Sequence, residues 1–497
     1  MFNKHKTDIL IIILLTALSA PLRFINLGYS EFQDDEKKAY IRLAKDQTVT
    51  DFLLQQRKGP MQFLATYIPY SITGDYRNEL AGRLPFTLIN TASVIVLYLL
   101  LKKLTKSRMA SVFGAVLYMT NGFIVGFSRI AQYQNLNLFF SLFSLLFYAD
   151  LMDGKKHLIR KSLLGTLFFC LSLLSHWDAI FYLVPVVYFF IIFLLRKDIP
   201  RIYKSRLTMY NFILGSLVLL PFMIPYVNYH TSNKQSTDYF GRRIGLSAYS
   251  FIKHRFIFEL YNPFVTLPFY LSLCALSVLF VKKNLIYFVW FFINFILIRY
   301  FMAKPGTHIY NYVIPMIFLI SFLTASVLEN GSKIIRTVLG FGVFFIYAVF
   351  AYQSYMIFVD HKAEYPWDEK TIFNYTTIPY VEKEVLTFGF PHNRNWKGVN
   401  EFILNHNDKC SYITNEGKEV SQIYTDIKFG NTTKCHYIIS VKRPFISTRD
   451  GIIYPGTGKN NLIYQYEKDD EVLTKVYFKN PVSSDSPALF EDMLLTN

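Results

Sequence analysis

Residues 8–40 read DILIIILLTALSAPLRFINLGYSEFQDDEKKAY, an apolar run that leads directly into a cluster of charge. A helix crosses a bilayer with about 20 apolar residues, and residues 8–28 reach that length. No small-residue cleavage site of the signal-peptide kind follows them, so we interpret residues 8–28 as a retained membrane span. The charged cluster that comes next contains four carboxylates within six residues: Glu31, Asp34, Asp35 and Glu36.

The composition extends this interpretation to most of the chain. Apolar residues are 52% of the 497 residues and charged residues only 18%, whereas soluble proteins have about 25% charged residues. This composition excludes disordered and collagen-like chains. It also excludes a disulfide scaffold, because four cysteines in 497 residues are too few for a dense disulfide framework. The sequence predicts an all-α polytopic membrane protein with about 11 spans. The further candidate spans are residues 84–101, 109–126, 136–152, 162–177, 180–195, 208–228, 263–281, 285–301, 312–328 and 337–357.

The distribution of Lys and Arg gives the orientation of these spans. We place the N-terminus inside and let the short stretch 61–73 lie at the interface without crossing. The inner segments then hold 19 Lys and Arg in 45 residues, and the outer segments hold 15 in 115. Cytoplasmic loops are the ones enriched in these residues, so we expect a multi-pass protein of the plasma (cytoplasmic) membrane with its N-terminus in the cytoplasm. The same loops account for the net charge of +17, so no nucleic-acid partner is expected.

Three regions follow from this topology. Residues 1–357 are predicted to form the transmembrane domain, which includes a long first outer loop at 29–83. Residues 358–497 are predicted to form an α+β domain on the extracytoplasmic side. In that domain 395–405 has the pattern of an amphipathic helix. Four short alternating runs, 411–414, 436–441, 462–466 and 473–478, have the pattern of strands. Cys410 and Cys435 each precede one of those runs, and the residues alone leave a disulfide between them open.

The acidic cluster after the first span allows two interpretations. A carboxylate beside a partly apolar cavity has a raised pKa and can act as a general base. Alternatively, Asp34 caps a helix and the next carboxylates face the positive end of its dipole. Tyr40 follows on the same stretch and is a candidate substrate contact.

Cationic residues recur in the other predicted outer segments. Arg57 and Lys58 precede a Gly-Pro turn, and they predict either a phosphate clamp or a pair that anchors a short helix at the interface. Arg129 lies with Gln132 and Tyr133 in a short turn, where it either faces the same cavity or anchors the interface. The last outer turn adds Arg299 and Lys304 as candidate phosphate ligands.

His176 and Asp178 lie two residues apart in another outer turn. They could ligate a metal, orient a substrate or simply cap the turn. His308 and Tyr310 follow Lys304 in the last outer turn and are further candidate substrate contacts. All of these candidates lie at the outer ends of the predicted spans, so we expect one site at the outer membrane interface.

The order of these motifs resembles the GT-C membrane glycosyltransferases, and most closely the protein O-mannosyltransferase and aminoarabinose transferase (PMT-like, ArnT-like) superfamily. The resemblance covers residues 1–357 in architecture. The motifs that carry it are Asp35–Glu36, Lys58–Gly59–Pro60, Arg83–Leu84–Pro85 and Ser128–Arg129.

The resemblance implies transfer of a sugar, with inversion, from a polyprenyl-phosphate-linked donor to a hydroxyl of a lipid, glycan or protein acceptor. It implies that Asp35 is the catalytic base, with Asp34 as the alternative and Glu36 beside them. Lys58 and Arg129 would contact the donor phosphate. No cofactor and no divalent metal ion are expected, since side-chain cations would match the charge of the leaving phosphate.

Three other functions compete with this one. A polysaccharide polymerase or ligase would depend on arginines in a large later loop, and residues 229–262 contain Arg242, Arg243 and Arg255. A transporter of lipid-linked sugars predicts charged residues near span centres and related halves, and the sequence shows neither feature. A membrane-anchored binding protein would not need so many spans.

Overall fold

The computed structural model describes residues 2–243, 261, 266–302, 306–329, 331–362, 364, 371–372, 375–376, 389–430, 435–442, 444 and 461–479. The chain divides into two compact units. Met1–Ser30 and Lys38–Pro391 form the first unit, and Glu31–Lys37 joins His392–Asn497 in the second. The division therefore lies further along the chain than the predicted boundary at residue 358, and the acidic stretch belongs with the C-terminal part.

The first unit is helical. Short 3-10 helices cover Trp177–Tyr182, Ser277–Phe280 and Gly306–Tyr312, and two short strands, β1 (Thr371–Ile372) and β2 (Tyr375–Thr376), pair antiparallel. Its described α-helices are α1 (Phe2–Phe24), α2 (Val49–Gln55), α3 (Pro60–Thr73), α4 (Glu79–Thr105), α5 (Arg108–Thr120), α6 (Gly122–Ser128), α7 (Tyr133–Tyr148), α8 (Asp150–Asp153), α9 (Leu158–Leu173), α10 (Leu183–Leu195), α11 (Arg201–Ser232), α12 (Lys234–Arg243), α13 (Thr266–Leu276), α14 (Val281–Phe301), α15 (Val313–Glu329) and α16 (Lys333–Phe358).

The structure confirms a multi-pass membrane architecture but not the predicted number of spans. The bent pair α5–α6, with 59° between its helices, would add a ninth span to eight continuous ones. Helix α9 has only 16 residues, and residues 266–301, predicted as two spans, form one apolar stretch of 36. Among the described residues, the eight stretches long and apolar enough to cross a membrane are Lys6–Phe24, Glu79–Thr105, Tyr133–Asp153, Trp177–Leu195, Arg201–Ser232, Thr266–Phe301, Gly306–Glu329 and Lys333–Phe358.

Local sequence explains where the helices near the candidate site begin and end. Helix α3 begins with Pro60, whose missing N–H costs nothing in a first turn, and ends at Gly74 in the left-handed conformation. Asn121 separates α5 from α6 because its side chain accepts a hydrogen bond from Phe123 N and caps the second helix. The cap produces the bend at this point.

The centre and the surface of the first unit differ sharply in burial. In an apolar 18-residue window of the span Gly306–Glu329, 83% of the residues are buried, whereas the share is 6% in the corresponding windows of Arg201–Ser232 and Lys333–Phe358. Exposed apolar helices of this kind are suited to contact with lipid. Polar side chains join the buried helices, because Arg23 Nε donates to Asn90 Oδ1 at 3.0 Å and Asn90 Nδ2 donates to Asn135 Oδ1 at 2.9 Å. Such bonds between helices stabilise membrane bundles.

The described residues of the second unit form a four-stranded mixed sheet and two α-helices, α17 (Trp396–Asn407) and α18 (Lys418–Tyr424). The strands follow the order β3-β4-β6-β5, with β3 and β4 parallel and the other neighbours antiparallel. They are β3 (Ser411–Thr414), β4 (His436–Val441), β5 (Asn461–Lys468) and β6 (Glu471–Lys479). The predicted helix and the four predicted strands are therefore confirmed. A disulfide joins Cys410 to Cys435 directly before the two parallel strands.

Glu31 explains why the acidic stretch belongs to this unit. Its carboxylate accepts hydrogen bonds from Arg394 N at 3.1 Å and Trp396 N at 2.6 Å. A carboxylate at this position caps the first turn of α17 and interacts favourably with the positive end of the helix dipole. Phe32 N also donates to the Tyr424 hydroxyl at 2.6 Å.

Candidate functional site

The Lys58–Gly59–Pro60 turn is fixed to the backbone that precedes Trp177. Gly59 N donates to the Ser175 carbonyl at 3.1 Å, and Met61 N donates to the Leu174 carbonyl at 3.2 Å. A Cβ atom at Gly59 would overlap the Leu174 carbonyl oxygen. The turn therefore needs glycine for space, since its φ of −70° is open to any residue.

Lys58 faces polar and aromatic groups of the neighbouring turn. Its Nζ donates to Gln132 Oε1 at 3.3 Å and lies 5.6 Å from the centre of the Tyr133 ring. A cation at that distance from a ring face is attracted by its quadrupole. Tyr133 in turn stacks on His176, with ring centres 3.7 Å apart. The structure thus joins the predicted phosphate ligand Lys58 to the predicted substrate contact His176 through Tyr133.

The next layer is a cluster around Asp178. Its side chain is fully buried, His176 is 7% exposed and His308 is 16% exposed. His308 Nδ1 lies 2.9 Å from Asp178 Oδ2, and the Tyr310 hydroxyl donates to the same oxygen at 3.2 Å. His176 Nδ1 lies 3.0 Å from Asp178 Oδ1. Four residues that the sequence places in two separate outer turns therefore meet at one point.

Burial lowers the pKa of His176, and the nearby Asp178 carboxylate opposes that shift. A lowered pKa favours the neutral imidazole, the form that can ligate a metal ion or accept a proton. Trp177 covers His308, with ring centres 5.1 Å apart. Sequence reasoning missed Trp177 as a site residue, although an aromatic residue between His176 and Asp178 in an outer turn was a visible signal.

Arg129 caps the C-terminal end of the first helix, α1. Its guanidinium N–H groups donate to the carbonyls of Leu22 at 3.2 Å, Arg23 at 3.3 Å and Asn26 at 3.2 Å. These carbonyls lie at the C-terminal end of α1 and just beyond it, where helical partners run out. Burial lowers the pKa of Arg129 to about 9, and the nearby Arg83 adds to the shift. The predicted contact of Arg129 with phosphate stays a prediction.

Three further predicted cations and Tyr40 complete the set of candidate site residues. Arg57 is exposed. Arg299, at the end of α14, lies 5.4 Å from the centre of the Tyr300 ring. Lys304 lies outside the described residues. Tyr40 is 4% exposed. The roles proposed for them from sequence stay predictions.

The predicted base lies in the second unit, whereas Lys58 and the Asp178 cluster lie in the first. Asp34–Ala39 forms a 3-10 helix. Glu36 is buried, and its carboxylate accepts Gln33 N at 2.9 Å, as the third residue of a capping box does. Glu36 therefore contributes to capping this helix, and the capping role of Asp34 stays a prediction. Asp35 is half-buried, and the side chain of Asp34 lies outside the described residues, so the base stays a prediction.

Comparison with solved structures identifies the fold class. ArnT from Cupriavidus metallidurans in the apo state aligns over 94% of this chain and 97% of its own, with a TM-score of 0.52 and 12% identity. The same protein bound to undecaprenyl phosphate gives 0.52 and 11%. The Archaeoglobus fulgidus oligosaccharyltransferase aligns over 84% of this chain and 63% of its own, with a TM-score of 0.51 and 11% identity. The chain has the GT-C fold.

A family match narrows this class. Residues 57–226 match the model of the dolichyl-phosphate-mannose-protein mannosyltransferase family. The chain spans 34% of a chain of the S. cerevisiae protein O-mannosyltransferase Pmt1-Pmt2 complex, with a TM-score of 0.37. No curated protein matches in sequence. The matched segment and the fold confirm the PMT-like and ArnT-like resemblance that the sequence motifs predicted.

Proposed function

We propose that this protein is an integral membrane glycosyltransferase that transfers a sugar from a polyprenyl-phosphate-linked donor to an acceptor hydroxyl. The GT-C fold and the family match support the use of a lipid-linked donor. The C-terminal unit lies on the extracytoplasmic side of the plasma membrane. The disulfide between Cys410 and Cys435 supports that side, because disulfides persist in oxidising compartments.

The reaction is an inverting displacement. The acceptor oxygen forms a bond to the anomeric carbon, and the bond from that carbon to the phosphate oxygen breaks. The electron pair leaves with the prenyl phosphate, and the hydroxyl proton passes to Asp35. Lys58 stabilises the negative charge that grows on the leaving phosphate.

The position of Lys58 carries this proposal. Its turn is fixed by two backbone hydrogen bonds, and its ammonium lies beside Gln132 and Tyr133. A cation held in advance stabilises developing charge without reorganising during the reaction. Lys58 also lies at the start of the segment that matches the mannosyltransferase family.

The test is transfer by the purified protein in detergent or vesicles. Radiolabelled prenyl-phosphate sugars are offered with a panel of lipid, glycan and peptide acceptors, and released prenyl phosphate and the labelled product are measured. We expect Asp35→Asn to lower the rate by about 100-fold or more, the range of a lost general base. Lys58→Gln should lower it by about 100-fold, as the loss of a charge-stabilising group does.

Matched controls come from the same outer loop. Asp46 and Lys45 are exposed, and Asp46 has a φ of 65°, a conformation that asparagine tolerates. Asp46→Asn and Lys45→Gln should therefore keep the wild-type rate. Full activity of Asp35→Asn would contradict its role as base. A ladder of repeated additions would instead indicate a polymerase, and movement of the intact donor across vesicles would indicate a transporter.

A further inference from the structure

The cluster around Asp178 has the composition of a metal site. His176, Asp178 and His308 each offer one ligand atom, and these atoms lie within 4.8 Å of one another. Two of the residues come from the turn before α10 and the third from the 3-10 helix Gly306–Tyr312, so the cluster joins segments 130 residues apart in sequence. The Tyr310 hydroxyl donates a hydrogen bond to Oδ2 of the Asp178 carboxylate. Ligand carboxylates in metal sites are commonly oriented by such a hydrogen bond.

The two oxygens of Asp178 are in different situations. Oδ2 has both Tyr310 and His308 as partners. Oδ1 is buried and has no hydrogen-bond partner among the described residues. His176 Nδ1 lies 3.0 Å from this oxygen, and the same nitrogen accepts a hydrogen bond from the Asp178 backbone N–H at 3.2 Å.

That arrangement leaves two lone pairs facing each other. A ring nitrogen that accepts a hydrogen bond carries a lone pair and no proton. The carboxylate oxygen opposite it carries lone pairs as well, so the two atoms repel unless a proton or a metal ion lies between them. A cation bound by both atoms removes the repulsion and satisfies the buried oxygen.

We propose that His176, Asp178 and His308 bind a divalent transition-metal ion. Two imidazoles and one carboxylate suit zinc and its neighbours, whereas magnesium and calcium prefer oxygen ligands alone. Ligand atoms of a tetrahedral zinc site lie about 3.4 Å apart, so a small rotation of His308, the most exposed of the three, completes the site. This proposal is an alternative to the sequence-based expectation that no divalent metal ion is needed, which stays a prediction.

The ion has a defined place relative to the other features of the site. It fixes the turn at residues 175–178, on which the Gly59 backbone hydrogen bond depends. It also adds positive charge beside His176, which stacks on the same Tyr133 ring that Lys58 faces. If the proposed function holds, this charge helps to bind the phosphate of the donor.

The test measures metal content and does not depend on activity. Protein without an affinity tag is purified in detergent, stripped with a chelator, reloaded with Zn²⁺ or Co²⁺ and passed through a desalting column. We expect about one ion per chain, and Co²⁺ absorption bands typical of histidine and carboxylate ligands. Asp178→Asn and His308→Gln should lower the affinity for Zn²⁺ at least about tenfold, and His308→Cys should restore it because a thiolate also binds zinc.

The control is His157→Asn, since His157 is exposed and its φ of 57° suits asparagine. It should bind Zn²⁺ as the wild type does. Gel filtration confirms that each variant is folded, and His308→Gln stays informative if Asp178→Asn is not. Wild-type protein that holds neither ion, or that binds it equally after His308→Gln, would overturn the proposal and leave a hydrogen-bonded cluster. Either result is separate from the sugar-transfer assay, so the two proposals can fail independently.

Discussion

Gly59 shows how one missing side chain can organise the candidate site. The residue has an ordinary extended backbone, so glycine is not needed there for conformational freedom. It is needed because the Leu174 carbonyl occupies the space of a Cβ atom. The close approach allows two backbone hydrogen bonds to form, and these set the direction from which Lys58 reaches Gln132.

We therefore expect Gly59→Ala to push the turn away from residues 174–175. Crowding of this kind costs about 1–3 kcal/mol of folding free energy, and the displaced Lys58 should lower sugar transfer as well. Gly74→Asn is the matched control, since Gly74 needs a left-handed backbone, which asparagine accepts, and has open space around it. Thermal unfolding in detergent and the transfer assay check both variants. An unchanged Gly59→Ala would show that the close approach is dispensable.

At the scale of elements, buried arginines hold the segment that follows the first helix. Arg129 binds three carbonyls at the end of α1. Arg83, from the first turns of α4, donates to Leu27 O at 3.0 Å and Ser30 O at 2.7 Å. A guanidinium can reach several carbonyls at once because its donors form a rigid fork. Together they fix the path of the chain from α1 toward the acidic stretch.

Arg129→Lys separates this capping role from the binding of phosphate. Lysine keeps the charge but loses the fork, so carbonyls at the end of α1 lose their donors. We expect a loss of at least about 2 kcal/mol in stability, since a hydrogen bond to a charged group contributes about 1.5–3 kcal/mol. Arg206→Lys, on the exposed part of α11, should change nothing. Stability equal to wild type, with weaker binding of donor, would favour phosphate binding over capping.

At the scale of the whole molecule, the patterns that predict well are those governed by local chemistry. Apolar runs located most helices, and alternation located all four strands of the second unit. The predicted number of spans is not confirmed among the described residues, and hydropathy does not show that Asn121 bends a helix or that residues 158–173 form a short one.

Long-range pairing explains the rest of the difference. Nothing near Glu31 in sequence indicates that it caps a helix beginning at Trp396. Likewise, His176 and His308 are separated by five described α-helices, and only folding shows that Asp178 contacts both. The residue types at the site are predictable, since few charged and aromatic residues lie at the ends of the membrane spans. The partners of these residues are not predictable from the sequence.

The second unit contains the only disulfide among the described residues, so reduction should affect the two units differently. Cys170 and Cys274 of the first unit are free thiols. The bond between Cys410 and Cys435 closes a loop with a sequence separation of 25, which contributes about 3.5 kcal/mol by loop entropy. Because β3 and β4 start at this bond, reduction or Cys435→Ser should expose the sheet to protease at residues 411–441 before the helical unit is cut. Cys274→Ala should leave the cleavage pattern unchanged. The fragments are identified by mass spectrometry. A cleavage pattern that reduction leaves unchanged would show that core packing and hydrogen bonds alone hold the sheet.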